Sequence, residues 1–254
     1  MSELPVRRIV DDAAAAAIAT AELVIAAAQR AVDERGVFHL CTTGGSTPAA
    51  LYAALREPER AARMQWSATQ IWFGDDRHVP RTSPLSNVTS VDTVLLALGE
   101  RGEAAPLSNE QVHPWPTGED GPKAVSDYLA NARAAKIQHT PEGFPQFDLV
   151  LIGIGGDSHC LSVFPGSPLT SSSAPVAAPV PAPTHIEPHV PRLSFSLGLL
   201  SAARAVCATI VGAGKSAALA RILNGEGTLS EVPAKAALIP TATWIIDRAA
   251  AADL

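Results

Sequence analysis

Four turns in this chain carry residue types able to bind an anion or move a proton. The richest is Gly153-Ile154-Gly155-Gly156-Asp157-Ser158-His159. An aspartate two residues before a histidine can hold the imidazole in one tautomer, leaving the other ring nitrogen as a general base near neutral pH. A lone histidine in a loop is more often structural or merely exposed, so the aspartate gives the spacing its chemical meaning. The second turn, Gly44-Gly45-Ser46-Thr47-Pro48, offers two glycines for close backbone approach, two hydroxyls, and a proline suited to a first helical turn. The free N–H groups and dipole of such a helix favour an anion, although a simple capped turn would use the same residues. Its spacing is neither that of a Walker A loop nor G-x-G-x-x-G.

The third turn is Asp75-Asp76-Arg77-His78-Val79-Pro80, with Ser86-Asn87 downstream. Arginine grips phosphate or carboxylate oxygens with its planar fork, while a salt-bridged surface turn is the plainer reading. The fourth, Gly212-Ala213-Gly214-Lys215, places a lysine at a helix start, as an anion ligand or as a solvated side chain.

Each turn follows an apolar run. Residues 37–41, 70–73, 147–152 and 205–211 read as strands, and residues 243–247 as a last one. Helical spacing marks residues 11–34, 49–63, 87–98 and the segment after Lys215. Strand, glycine turn and helix in repetition predict an α/β fold: a single doubly wound, mainly parallel, Rossmann-like sheet with helices on both faces. In such sheets ligands bind beyond the carboxyl ends of the strands, where these turns lie. Residues 166–191 are rich in Pro and Ser and show no period; a long loop across the sheet edge suits them better than a linker, because strand-like sequence resumes at Leu193-Ser194-Phe195-Ser196. Residues 1–254 therefore read as one domain.

Composition narrows the function. At 254 residues, 47% hydrophobic and 17% charged, the chain has material for a large core. Aromatics are scarce, which predicts helices packed on an aliphatic sheet. A net charge of -6 disfavours nucleic acid but admits a small phosphorylated ligand, which needs only a few local cations. The three cysteines, Cys41, Cys160 and Cys207, have no disulfide or zinc spacing. The opening residues lack the order of a signal peptide, and no apolar stretch reads as a comfortable membrane span. The expectation is a reduced cytoplasmic protein, a monomer or small homo-oligomer, without metal or cofactor.

Taken together the motifs resemble the 6-phosphogluconolactonase family, which is related to the glucosamine-6-phosphate deaminases. Thr43 to Pro48 is similar to that family's Ser-Gly-Gly-Ser-Thr-Pro loop, and Asp75 to Pro80 with Ser86-Asn87 to its Asp-Glu-Arg-x-Val-Pro and Ser-Asn pair. Gly153 to His159 leading to Phe164-Pro165-Gly166 resembles its central signature. Pro191 to Ser196, Gly212 to Lys215, Pro233, and Trp244 with Asp247 complete the series. The resemblance implies lactone hydrolysis with His159 as general base oriented by Asp157. It places the substrate phosphate against Gly44, Gly45, Ser46 and Thr47 with Lys215, and adds Asp75, Asn87 and Arg192 as contacts. Arg77 would serve either phosphate or a developing oxyanion. A covalent serine route lacks a G-x-S-x-G elbow.

The chain departs from the pattern at Asp157-Ser158-His159-Cys160, where Asp-Gly-His-Thr is usual, and at Asp76 in place of Glu. If that glycine takes a positive φ, Ser158 is mildly strained. The segment Ser171–Ser173 lacks the usual charges. Two rivals remain. A glucosamine-6-phosphate deaminase would follow the turn with Phe-Asn-Glu-Pro, where this chain has Val163-Phe164-Pro165-Gly166. A non-catalytic sugar-phosphate sensor would be expected to carry a DNA-binding segment, and the first residues run directly into a helix instead.

Overall fold

Apolar runs separated by glycine turns fold as parallel strands joined by crossovers. The computed structural model describes residues 5–99 and 104–254, the Ser46 side chain aside. Residues 1–4, the start of the segment weighed for a signal peptide, lie outside the described residues. In order come β1 (Val6–Val10), α1 (Ala13–Arg35), β2 (Phe38–Thr42), α2 (Ser46–Arg56), α3 (Pro58–Ala61), β3 (Thr69–Phe73), β4 (Asp75–Arg77), α4 (Thr89–Val94) and β5 (Val112–His113). Then follow α5 (Gly121–Ala134), β6 (Leu149–Ile152), β7 (Ala177–Val180), β8 (Arg192–Phe195), α6 (Gly198–Ala202), β9 (Val206–Ile210), α7 (Ser216–Leu223) and β10 (Ala242–Asp247).

The main sheet has seven parallel strands in the order β1-β10-β9-β6-β2-β3-β5. From β2 the chain builds outward through β3 and β5; from β6 it builds the other way through β9 and β10. The reversal falls between β2 and β6, so the turns after these strands flank the crevice where open α/β sheets bind ligands. β2, β6 and β9 are buried along their whole length, as parallel strands covered on both faces must be.

A second sheet was not expected. β4, β8 and β7 pair antiparallel beside the main one. β7 falls inside the Pro/Ser segment that reads as an aperiodic loop. It is an edge strand bonded to β8 alone, which is where Pro179 can be tolerated. Other elements were hidden for comparable reasons. β1 is an exposed edge strand with no apolar alternation. The helical stretch 49–63 is divided at Pro58, which holds Glu57 at ψ 135° and ends α2. α5 has a start that is legible in the sequence: Asp120 caps it, accepting from the Lys123 N–H at 2.9 Å, with Pro122 in the first turn.

α1 corrects a further expectation, since its 23 residues are long and apolar enough to cross a bilayer by length and composition. In the fold it is a core helix. Ala17, Ala21, Val24, Ala28 and Ala31 are buried, and the Thr20 hydroxyl meets that of Thr209 on β9 at 2.9 Å.

Five of the aromatics, Trp72, Trp115, Tyr128, Phe147 and Phe195, pack into one cluster. Trp115 stacks on Tyr128 with ring centroids 3.8 Å apart, and Phe195 meets Trp115 edge-on at 5.4 Å. This cluster replaces backbone pairing that the two-residue β5 cannot give. The Phe73 N–H donates to the Tyr128 hydroxyl at 2.8 Å, and the Phe73 carbonyl accepts from Tyr128 and Trp115 at 3.1 and 3.0 Å. The end of β3, and therefore the start of β4, is pinned by side chains. Tyr128→Phe strands a buried N–H and is expected to lower unfolding free energy by about 1–3 kcal/mol in a denaturant titration. An unchanged midpoint would mean that Phe73 needs no such partner.

Candidate active site

The four turns converge at the carboxyl end of the sheet. A cleft of about 280 Å³ is lined by Gly44, Gly45, Thr47, Asp75, Arg77, Asn87, His159 and Lys215, with Thr209 to Val211 at the end of β9. The Ser46 side chain lies outside the described structure. Asp157 stands behind His159. Arg192 does not line this cleft: it sits opposite Arg77 in the β4–β8 ladder, 4% exposed, and donates from Nη2 to the Pro188 carbonyl at 2.8 Å. Burial and the neighbouring Arg77 push its pKa down. Antiparallel pairing thus sets two arginines side by side, and only Arg77 reaches the cleft.

The histidine turn is built around a small space. Asp157 Oδ1 accepts from His159 Nδ1 at 2.5 Å and from the His159 backbone N–H at 3.1 Å. A Cβ on Gly155 would lie 2.0 Å from His159 Nδ1, so only glycine fits there. Ser158 takes φ 71°, the strained conformation expected of a residue in the family's glycine position. Burial would raise the Asp157 carboxyl, but hydrogen bonds and charge from His159, with a further bond from His185, outweigh it and hold it well below the usual carboxylate range. An ionised Asp157 fixes a proton on Nδ1 and leaves Nε2 as the lone-pair nitrogen.

Around it stand groups of a kind that can bind an anion. α2 starts at Ser46 after Gly45, and α7 follows Lys215, so both helix starts open toward the cleft. Asp76 orders the Arg77 wall from beneath. Its Oδ1 accepts from the backbone N–H groups of Asn87 and Arg77, each at 2.7 Å, and its Oδ2 from the Ser86 hydroxyl at 3.0 Å. Asn87 in turn donates to the Asp75 carbonyl at 2.8 Å and presents Oδ1, a buried acceptor without a partner among the described residues. The Ser162 hydroxyl donates to Asp75 at 2.5 Å. Ser162 and His185 were missed in the sequence. Ser162 lies just past the signature, and His185 sits in the aperiodic loop, where no spacing marks it.

A larger cleft of about 660 Å³ opens at the amino ends of the strands. Its Arg35 and Arg204 share Asp148 at 3.0 and 3.4 Å. Its His39 is pushed down to about 4 by burial, so the ring is neutral at physiological pH. Among the described residues, no group of three or more His, Cys, Asp or Glu is arranged to hold a metal ion.

A parallel sheet whose switch point holds a carboxylate-fixed histidine, two cations and two helix starts defines an α/β enzyme that handles small anions. Residues 11–245 match the family described as glucosamine-6-phosphate isomerases/6-phosphogluconolactonase, and the chain belongs to that family. It is 30% identical to a 6-phosphogluconolactonase of Streptomyces coelicolor over all of this chain and 96% of that protein. The fold matches 6-phosphogluconolactonase from Trypanosoma cruzi with a TM-score of 0.83 at 24% identity, over 100% and 98% of the two chains. It also matches a monomeric glucosamine-6-phosphate deaminase, with a TM-score of 0.79 at 15% identity over 98% and 100%.

Burial raises the Asp76 carboxyl to about 6, against the hydrogen bonds that favour its charged form. The folded state therefore takes up a proton near pH 6 that the unfolded chain takes up only near pH 4. Ionised Asp76 costs stability at neutral pH, and the cost fades as pH falls between those values. Asp76→Asn keeps the two bonds to Oδ1, so it is expected to be the more stable protein above about pH 6, with the gap closing by about pH 4. Denaturant midpoints measured across that range check this; a constant gap would contradict it.

Proposed function

We propose that this chain is a 6-phosphogluconolactonase, opening 6-phospho-D-glucono-1,5-lactone to 6-phosphogluconate. The observation that carries the reading is His159, tied through Nδ1 to Asp157, inside a cleft that also holds Arg77 and Lys215. The substrate phosphate sits against the Gly44–Thr47 turn with Lys215. His159 Nε2 takes a proton from water as the oxygen attacks the lactone carbonyl. The ring C–O bond then breaks, and the proton passes to the departing ring oxygen. Arg77 is the second cation, for the phosphate or for the developing oxyanion. Asn87 Oδ1 is an acceptor for a sugar hydroxyl.

No residue need form a covalent intermediate, because a six-membered lactone already hydrolyses unaided and the barrier to be removed is modest. A positioned general base supplies roughly 10²–10⁴-fold, and orientation adds to it. The deaminase alternative draws no support from the turn after His159. Phe164 packs its ring there, 4.8 Å from the imidazole, where that subgroup carries a carboxylate.

Residues 1–254 act as one domain, as a monomer or small homo-oligomer. A cytoplasmic location belongs to the proposal, supported by three buried cysteines that are free thiols. The test is lactone disappearance at neutral pH against the spontaneous rate. Wild type should accelerate it, and His159→Ala should lose about 10²–10⁴-fold in kcat while still binding product. Wild-type turnover in the variant would remove His159 from its role.

A further inference from the structure

The Pro/Ser-rich segment touches the catalytic turn through a side chain that nothing in the reaction above uses. His185 directs Nε2 to Asp157 Oδ2 at 2.9 Å, the oxygen that His159 leaves free. Phe164 lies against both imidazoles, 4.8 Å from His159 and edge-on to His185 at 5.7 Å. We propose that His185 is a positioning residue for the general base, a latch by which this loop fixes His159 through Asp157. The inference rests on the lactonase reading for its kinetic consequence and on geometry alone for the coupling.

Two effects follow from the geometry. A carboxylate held at one oxygen can still turn about its own bond, and one held at both cannot, so His185 sets the plane in which Asp157 meets His159. The bond that His185 donates also draws charge from Asp157. With that donor removed, the carboxylate holds the imidazolium form of His159 more tightly, and the base is lost to protonation at a higher pH.

The other charged groups are placed elsewhere or remain constant. Arg77, Asp75 and Lys215 line the cleft together with His159 and are unchanged in the test. Glu187 and His189 in the same loop pair with each other at 3.1 Å. The segment that packs on Ser158 through the Ala234 N–H has its lysine, Lys235, turned to the carbonyls of Gly225 and Gly227. Because the His185 side chain is 49% exposed, its removal leaves no core cavity.

The test compares full-length wild type, His185→Ala and His185→Gln, the last retaining an N–H donor. Profiles of kcat and KM for 6-phosphogluconolactone are measured from about pH 5 to 8 after subtraction of spontaneous hydrolysis. His185→Ala is expected to lose about tenfold in kcat with KM little changed, and the acid limb of kcat/KM should move to higher pH. His185→Gln should recover most of both. Wild-type kcat in the alanine variant, a uniform fall without movement of the limb, or a rise confined to KM would each overturn the latch. NMR titration of the His159 ring in the same proteins separates this from the fate of the lactonase reading. Titration at higher pH in His185→Ala supports the coupling even if the lactone is not turned over, and an identical titration contradicts it.

Discussion

The hydrogen bond between Asp157 and His159 sets the demands that the surrounding structure meets. Two residues apart, these side chains meet here because the chain folds back on itself around them. The Gly155 N–H donates to the His159 carbonyl at 2.8 Å and the Ser158 N–H to the Gly155 carbonyl at 2.9 Å. That reversal puts Ser158 at φ 71°, a conformation that costs a side-chain-bearing residue roughly 1–2 kcal/mol. It also excludes any side chain at Gly155. The Ser158 carbonyl accepts from the Ala234 N–H at 3.0 Å, so a distant segment braces the strained residue.

The sheet brings the other groups to this turn. β2 and β6 are neighbours because the strand order reverses between them, and that adjacency sets the Gly44–Thr47 turn beside Gly153–His159. Lys215 arrives from β9 on the other side of β6. Arg77 depends on the small antiparallel sheet: β4 leaves the main sheet just after β3, and its pairing with β8 holds it there. Tyr128 and Trp115 secure the departure point at Phe73, while Asp76 gathers Ser86, Asn87 and Arg77 around one buried carboxylate.

The parts legible in the sequence are those with a local signal. Residues 149–152 are a continuous apolar run and residues 205–211 are broken only by Thr209, because buried parallel strands present both faces to apolar neighbours. The Asp157–His159 spacing and the glycines beside it are local as well. β1 and β7 escaped because edge strands have no apolar period, and Pro179 argues against a strand anywhere but at an edge. The apolar length of α1 says nothing by itself about whether its buried face meets a sheet or a membrane. The resemblance marks Arg192 as a substrate contact, whereas the β4–β8 register that sets it beside Arg77 is a long-range pairing with no local signal. His185 is 28 residues from Asp157, across a segment whose path only tertiary structure defines.

The central claim is that Asp157 holds His159 as the neutral tautomer with its proton on Nδ1, and nitrogen-15 NMR of the wild-type ring tests it most directly. Near neutral pH the account requires an Nδ1–H signal coupled to a strong hydrogen bond and an unprotonated Nε2. A neutral ring with its proton on Nε2 would contradict it, because the nitrogen facing the cleft could then take no proton from water.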